Sequence, residues 1–178
     1  MSKSLLYLQS FWLEKQTGKK CYMIAPRDLL IVWSDTPTYW NWISLPESRF
    51  SEVAELLSVC WLEIRGHIKT SMLSPNTVYA AYLVYKLAAM PYGLDHYPAE
   101  LRADYWMRLE TFAAREGETQ ESYRRERLDG WMEVELGEIY NETGEDGELE
   151  MRVMEVKGGN WKGGLLVQGI EIRPQKGK

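Results

Sequence analysis

Histidine and cysteine are nearly missing from this chain of 178 residues, with two of each. Cys21 and Cys60 cannot form a disulfide framework, so a reducing, cytosol-type compartment is the default expectation. His67 and His96 have no partner at ligand spacing, which leaves no metal site and no cofactor to expect. The motifs of common enzyme classes are absent too: no G-x-S-x-G elbow, no H-E-x-x-H, no phosphate loop, no G-x-G-x-x-G. There is no excess of positive charge. With 21 basic against 26 acidic residues and a net charge of −5, the chain lacks the footprint of a dedicated nucleic-acid binder. No apolar run reaches the ~18 residues of a membrane span. The opening residues Met1 to Leu8 carry no cleavage pattern, so neither a membrane nor a secretory route is expected.

Alternating strands fill most of the sequence. Leu62, Ile64 and Ile68 oppose Glu63, Arg65, His67 and Lys69; Met132, Val134 and Leu136 oppose Glu133 and Glu135. Leu149, Met151 and Val153 oppose Glu148, Glu150 and Arg152, while Ala103, Tyr105, Met107 and Leu109 oppose Asp104, Arg108 and Glu110. Period two with one polar face marks half-buried antiparallel strands. Thr77 to Leu87 is apolar on both faces and reads as a central strand; Leu165 to Ile172 is similar, with Gly169 as a candidate bulge. Ser74-Pro-Asn, Gly144-Glu-Asp-Gly and Lys157-Gly-Gly-Asn are tight turns, and 90–101 and 113–129 are longer loops. Two stretches read differently. Leu5, Leu8 and Trp12 fit one amphipathic helix, so residues 1–20 read as an N-terminal helical arm, and 48–57 reads as a short helix. The expectation is all-β: an antiparallel sandwich of about eight strands over 21–178. Its open edges admit pairing into a homodimer.

The aromatic residues are 8 Trp, 11 Tyr and 3 Phe, a bias toward rings with a hydrogen-bonding tip. They concentrate in Ile31-Val-Trp-Ser-Asp-Thr-Pro-Thr-Tyr-Trp-Asn-Trp-Ile-Ser. Three tryptophans and a tyrosine alternate there with short polar side chains. An indole covers the C–H face of a pyranose while short polar groups hold hydroxyl and N-acetyl groups, the design of a concave site with few placed polar groups. The candidate carbohydrate-binding residues are Trp33, Ser34, Asp35, Tyr39, Trp40 and Asn41, with Asn160 and Trp161 of a Gly-rich turn as a second contribution. Alternation puts Trp40 and Trp42 on one face, so one of the two is core. Paired acids for glycoside hydrolysis exist on the Glu-rich strands, but their alternation turns most of them outward to a solvated face. No catalytic residue is expected. Cys60 reads as core, whereas Cys21, after two lysines, reads as the more reactive thiol.

Arg27-Asp-Leu, the W-x-D-x-P-x-Y-W-x-W run from Trp33 to Trp42, Val53-Ala-Glu-Leu-Leu-Ser-Val-Cys-Trp-Leu-Glu-Ile-Arg-Gly and Leu73-Ser-Pro-Asn-Thr together resemble the plant phloem protein 2 lectins, also called Nictaba-like lectins. The likeness continues through Asp129-Gly-Trp-Met-Glu-Val-Glu-Leu-Gly-Glu, Gly144-Glu-Asp-Gly-Glu-Leu-Glu-Met, Gly159-Asn-Trp-Lys and Gly169-Ile-Glu-Ile-Arg-Pro, and ends near Pro174. It is greatest to the small phloem-exudate lectins of cucurbits. The resemblance implies a jelly-roll-like β-sandwich that binds chitin oligosaccharides and the N-acetylglucosamine core of N-glycans without catalysis, in the cytoplasm of phloem sieve elements. It implies that Trp33 and Trp40 match two tryptophans important for sugar binding in a tobacco relative. A lysine run read there as a nuclear signal is Arg124-Arg-Glu-Arg here, broken by Glu126. Twenty residues are too few for the F-box of other members, so no ubiquitin-ligase adaptor is expected. RNA binding and cysteine cross-linking are also known in the family; the net charge and Cys21 lend them little support.

Overall fold

The computed structural model describes residues 9–94, 100–106, 124–157 and 159–175. These residues form antiparallel strands, β1 (Gln9–Leu13), β2 (Lys20–Ile24), β3 (Leu30–Ile31), β4 (Trp40–Ile43), β5 (Val53–Leu56), β6 (Leu62–Lys69), β7 (Thr77–Tyr92), β8 (Glu100–Trp106), β9 (Arg124–Glu126), β10 (Met132–Asn141), β11 (Glu148–Glu155) and β12 (Gly163–Pro174). One sheet has 8 strands, ordered β1-β2-β12-β7-β10-β9, with β5 also on β12 and β4 on β5; the other has 4, ordered β3-β6-β11-β8. Period-two patterning thus yields two facing sheets, as expected. The inward residues Ile64, Leu83, Leu136, Met151, Val153 and Ile170 are buried between them.

Two sequence expectations fail. Residues 9–13 are not helical: β1 pairs along its length with β2, Phe11 opposite Tyr22 and Trp12 opposite Cys21. In a segment this short, apolar residues three or four apart do not distinguish the helical period from strands, and pairing with β2 decides. The remainder of the expected arm, residues 1–8, lies outside the described residues. The 48–57 helix is also absent. Val53 to Leu56 is a strand on β12 and β4, because both of its faces are buried, Ala54 and Leu56 in the core between the sheets and Val53 in a second cluster with Met23, Val84 and Trp131. Strand β7 runs on to Tyr92, past the expected loop start at 90. Of the fourth alternating run, β8 carries 100–106, and Met107 and Leu109 fall outside the described residues. Most of the second expected loop does likewise.

Gly169 acts as the bulge its position suggested. The register of β12 on β7 shifts between Val167 and Gly169, and the free edge of β12 divides there, Leu166 and Val167 pairing with β5 and Ile170 to Ile172 with β2. A Cβ on Gly169 would stand 2.2 Å from the Ile24 carbonyl oxygen, so only glycine allows this approach.

One end of the sandwich is sealed by polar bonds. The Tyr79 hydroxyl donates to the Lys20 carbonyl and accepts from the Ser74 N–H, both at 2.9 Å. The Thr70 hydroxyl donates to the Glu145 carbonyl at 2.6 Å, and the buried Asn141 amide donates to the Ser74 carbonyl at 3.0 Å. The connections at the opposite end carry the aromatic segment. Among the described residues no helix is long and apolar enough to cross a membrane.

Candidate functional site

The aromatic segment begins where β3 ends. Val32 still donates to the Glu63 carbonyl at 3.1 Å, but Trp33 takes φ of 63° and turns the chain out of the sheet. The left-handed region costs a bulky residue roughly 1–2 kcal/mol, so the surrounding bonds have to enforce it. Ser34 N–H donates to Ile31, Thr36 N–H to Trp33, and both Tyr39 and Trp40 N–H to Thr36. The returning strand then clamps the turn with two indoles: Trp40 Nε1 donates to the Val32 carbonyl at 3.1 Å and Trp42 Nε1 to the Ser34 carbonyl at 3.0 Å. Donors two residues apart meet acceptors two residues apart.

This clamp sorts the expected site residues. Trp40 is 2% exposed and belongs to the core, which answers which of the Trp40–Trp42 pair is buried. Trp42 is half-buried beneath the Arg27 guanidinium, 3.7 Å from its ring centroid, and Arg27 holds Glu52 through two bonds of 2.8 and 2.9 Å. The Glu52 carboxyl lies below its ordinary pKa because Arg27 donates to it. A cleft of about 430 Å³ lies here, lined by Ser34, Asp35 and Asn41 together with Arg27 and Glu52, and completed by Pro37, Trp40 and Trp42. Asn41 also donates to Glu55 at 3.2 Å. Trp33 stands next in sequence to Ser34, 40% exposed, its ring 5.2 Å from that of Tyr39 and inclined by 38°.

Asn160 and Trp161 come to the same end. Leu57 and Ser58 N–H both donate to the Tyr39 carbonyl, and Val59 exchanges backbone bonds of 3.0 and 2.8 Å with Lys162. Residues 57–59 therefore tie the two expected contributions to one segment. Trp161 is an exposed ring. The cleft includes four residues outside the candidate set read from the sequence, Arg27, Pro37, Trp42 and Glu52. Arg27 and Glu52 are 25 positions apart, and no local pattern connects them. Trp61, immediately before β6, is 41% exposed, and its Nε1 donates to Glu63 at 2.8 Å.

Among the described residues no group of three or more His, Cys, Asp or Glu is placed to hold a metal. The acids on the outer face of the larger sheet are not all solvated. Glu133 and Glu171 are buried in a network with Arg127 and Arg173, with Glu133–Arg173 at 2.7 Å. Cys21 is buried, and burial, followed by the nearby Glu171 and Glu14, pushes its thiol up to about 11, which corrects its expected reactivity.

Residues 19–174 match the family model described as Phloem protein 2. Among relatives from Arabidopsis thaliana, putative F-box protein PP2-B12 is 50% identical over 94% of this chain and 66% of its own length. F-box protein PP2-B10 is 46% identical over 94% of this chain and 65% of its own. F-box protein At2g02240 is 45% identical over 94% and 56%. The chain thus spans between 56% and 66% of the length of these relatives. All three have F-box in their names, where the sequence reading had pointed to small exudate lectins. Among solved structures, the CBM22-1 xylan-binding domain of Paenibacillus barcinonensis Xyn10C aligns over 96% of this chain and 95% of its own at 14% identity, with a TM-score of 0.37, too distant to bear on fold or ligand.

Proposed function

The chain belongs to the phloem protein 2 family, and on that premise we propose that it is a non-catalytic carbohydrate-binding protein for β-1,4-linked N-acetylglucosamine oligomers, as found in chitin fragments and N-glycan cores. The observation that carries this reading is Trp33, an exposed ring turned outward by an enforced backbone and set beside a polar cleft. In this reading a pyranose ring lays its C–H face on Trp33, with Tyr39 at its side. The Ser34 hydroxyl, the Asp35 carboxylate and the Asn41 amide take hydroxyl and N-acetyl groups. Trp40 contributes by holding the turn, since its own N–H is already bonded. Trp161 and Asn160 extend the surface on the neighbouring connection.

Calorimetric titration with chitotriose at about 50 and about 200 mM salt tests the proposal, because stacking and neutral hydrogen bonds respond little to salt whereas phosphate contacts weaken steeply. Saturable binding, similar at both concentrations, is expected. Absence of binding would remove the reading, and strongly salt-dependent binding of RNA with none of sugar would replace it. Overnight incubation with chitotetraose should leave the sugar intact.

A further inference from the structure

Trp61 is an exposed indole at this end of the sandwich to which the site described above gives no role. Large indoles are highly buried on average, so one that is 41% exposed and yet fixed calls for a reason. Its Nε1 donates at 2.8 Å to Glu63, two residues further on in β6, and Arg65 Nε donates to the other oxygen of that carboxylate at 2.6 Å. Burial opposes the charge on Glu63, but the bonds from Trp61 and Arg65 outweigh it and hold the carboxyl below its ordinary pKa. The only polar atom of the indole is thus satisfied within the protein, and what it offers to solvent is apolar ring.

The Trp61 segment is tethered on both sides. Toward Trp33, the Val32 N–H bonds the Glu63 carbonyl at 3.1 Å. Toward Trp161, the wholly buried Lys162 donates its Nζ to the Cys60 carbonyl at 3.2 Å and pairs with the Glu155 carboxylate. Three exposed indoles, at 40, 41 and 53% for Trp33, Trp61 and Trp161, are therefore carried on three connections bonded to one another.

We propose that Trp61, with Glu63 beside it, is a further sugar subsite next to the Trp33 site, so that the protein's ligand is an oligosaccharide chain occupying two or more aromatic platforms at once and not a single terminal sugar. This rests on the carbohydrate-binding reading above. The Trp61 ring would cover the C–H face of a second pyranose, and the ionised Glu63 would accept a hydroxyl hydrogen from it. Two weak stacking contacts on one ligand act together, because the second forms within a complex already held by the first.

The experiment compares chitobiose, chitotriose and chitohexaose on the wild-type protein, Trp61→Ala and Trp61→Phe. Trp61→Ala should weaken chitohexaose by at least about fivefold and chitobiose by less than about twofold, with Trp61→Phe restoring most of the loss, as a stacking contact distant from the first site requires. The indole N–H resonance of Trp61 in the wild-type protein, read by NMR, should shift with chitohexaose and stay put with chitobiose, a readout that does not depend on any variant folding. Equal weakening of both sugars, or of neither, and an unmoved resonance would overturn the subsite while leaving the Trp33 site standing if Trp33 variants still lose affinity. Failure of the wild-type protein to bind any of the three would overturn both.

Discussion

The indole Nε1 of Trp40 donates to the carbonyl oxygen of Val32 at 3.1 Å, and this one bond divides the labour within the aromatic segment. Trp40 faces inward at 2% exposure and fixes the turn; Trp33, the residue after its acceptor, faces outward. Trp40→Ala should cost about 3–5 kcal/mol of folding stability, the usual range for deleting a large buried ring. Trp33→Gly should do the reverse. Its φ of 63° suits glycine, so stability should be retained or raised, while affinity for chitotriose falls by at least about tenfold. Denaturant unfolding and titration on both variants check this. A Trp33→Gly protein that binds as well as wild type removes the segment from the site.

Strands β6, β7, β10, β11 and β12 were legible in sequence because period two is a local property, and Gly169 announced its bulge by interrupting an apolar run. What resisted reading was set by distant pairing. The outer face of the larger sheet reads as solvated from Glu133 and Glu135, yet Met23, Val53, Val84 and Trp131 form a second buried cluster on this sheet, packed under Trp12 and Phe50. The same holds for the site: Trp33 and Ser34 are visible in the W-x-D-x-P-x-Y-W run, whereas the Arg27–Glu52 wall depends on where β5 docks.

Glu133 makes the fold sensitive to acid. Burial opposes its charge, but Arg173 and then Arg127 outweigh burial and hold the carboxyl below its ordinary value of 4.5. A carboxyl depressed in the folded state contributes stability that is present above the unfolded pKa and lost as pH falls through the folded one. The melting temperature should therefore drop on acidification below pH 4.5. Glu135 works oppositely, raised by burial and by Glu138, so the comparison with Glu133→Gln isolates the effect. That variant should show a flatter acid limb in melting curves recorded from neutral to acid pH; an unchanged slope would contradict the assignment.

The two thiols should separate in labelling. Cys60 is half-buried, whereas Cys21 is buried and its thiol is pushed up to about 11, leaving almost no thiolate near neutrality. Iodoacetamide at about pH 8 should modify Cys60 well before Cys21, which becomes reactive only on unfolding. Peptide mass spectrometry of a time course reads this directly. Early labelling of Cys21 would mean that the β1–β2 hairpin opens in the native protein.

Arg27 offers a way to test the cleft apart from the tryptophans. Its guanidinium caps Trp42 at 3.7 Å and grips Glu52, but both charged side chains are largely exposed, at 45 and 42%. Exposed ion pairs contribute little to stability, so Arg27→Ala should melt close to wild type. Its effect on binding should be larger than its effect on folding. Removing the cap frees the Glu52 carboxylate and uncovers the outer face of Trp42, so the part of the cleft lining that Arg27 holds loses its fixed shape. If the sugar enters this cleft, affinity for chitotriose should fall by about three- to tenfold, within the range of a peripheral contact. Arg27→Lys, which keeps the charge but not the two-pronged bond or the flat stacking group, should recover only part of the loss. Full affinity in Arg27→Ala would place the sugar on Trp33 and Tyr39 alone, with the cleft left to solvent.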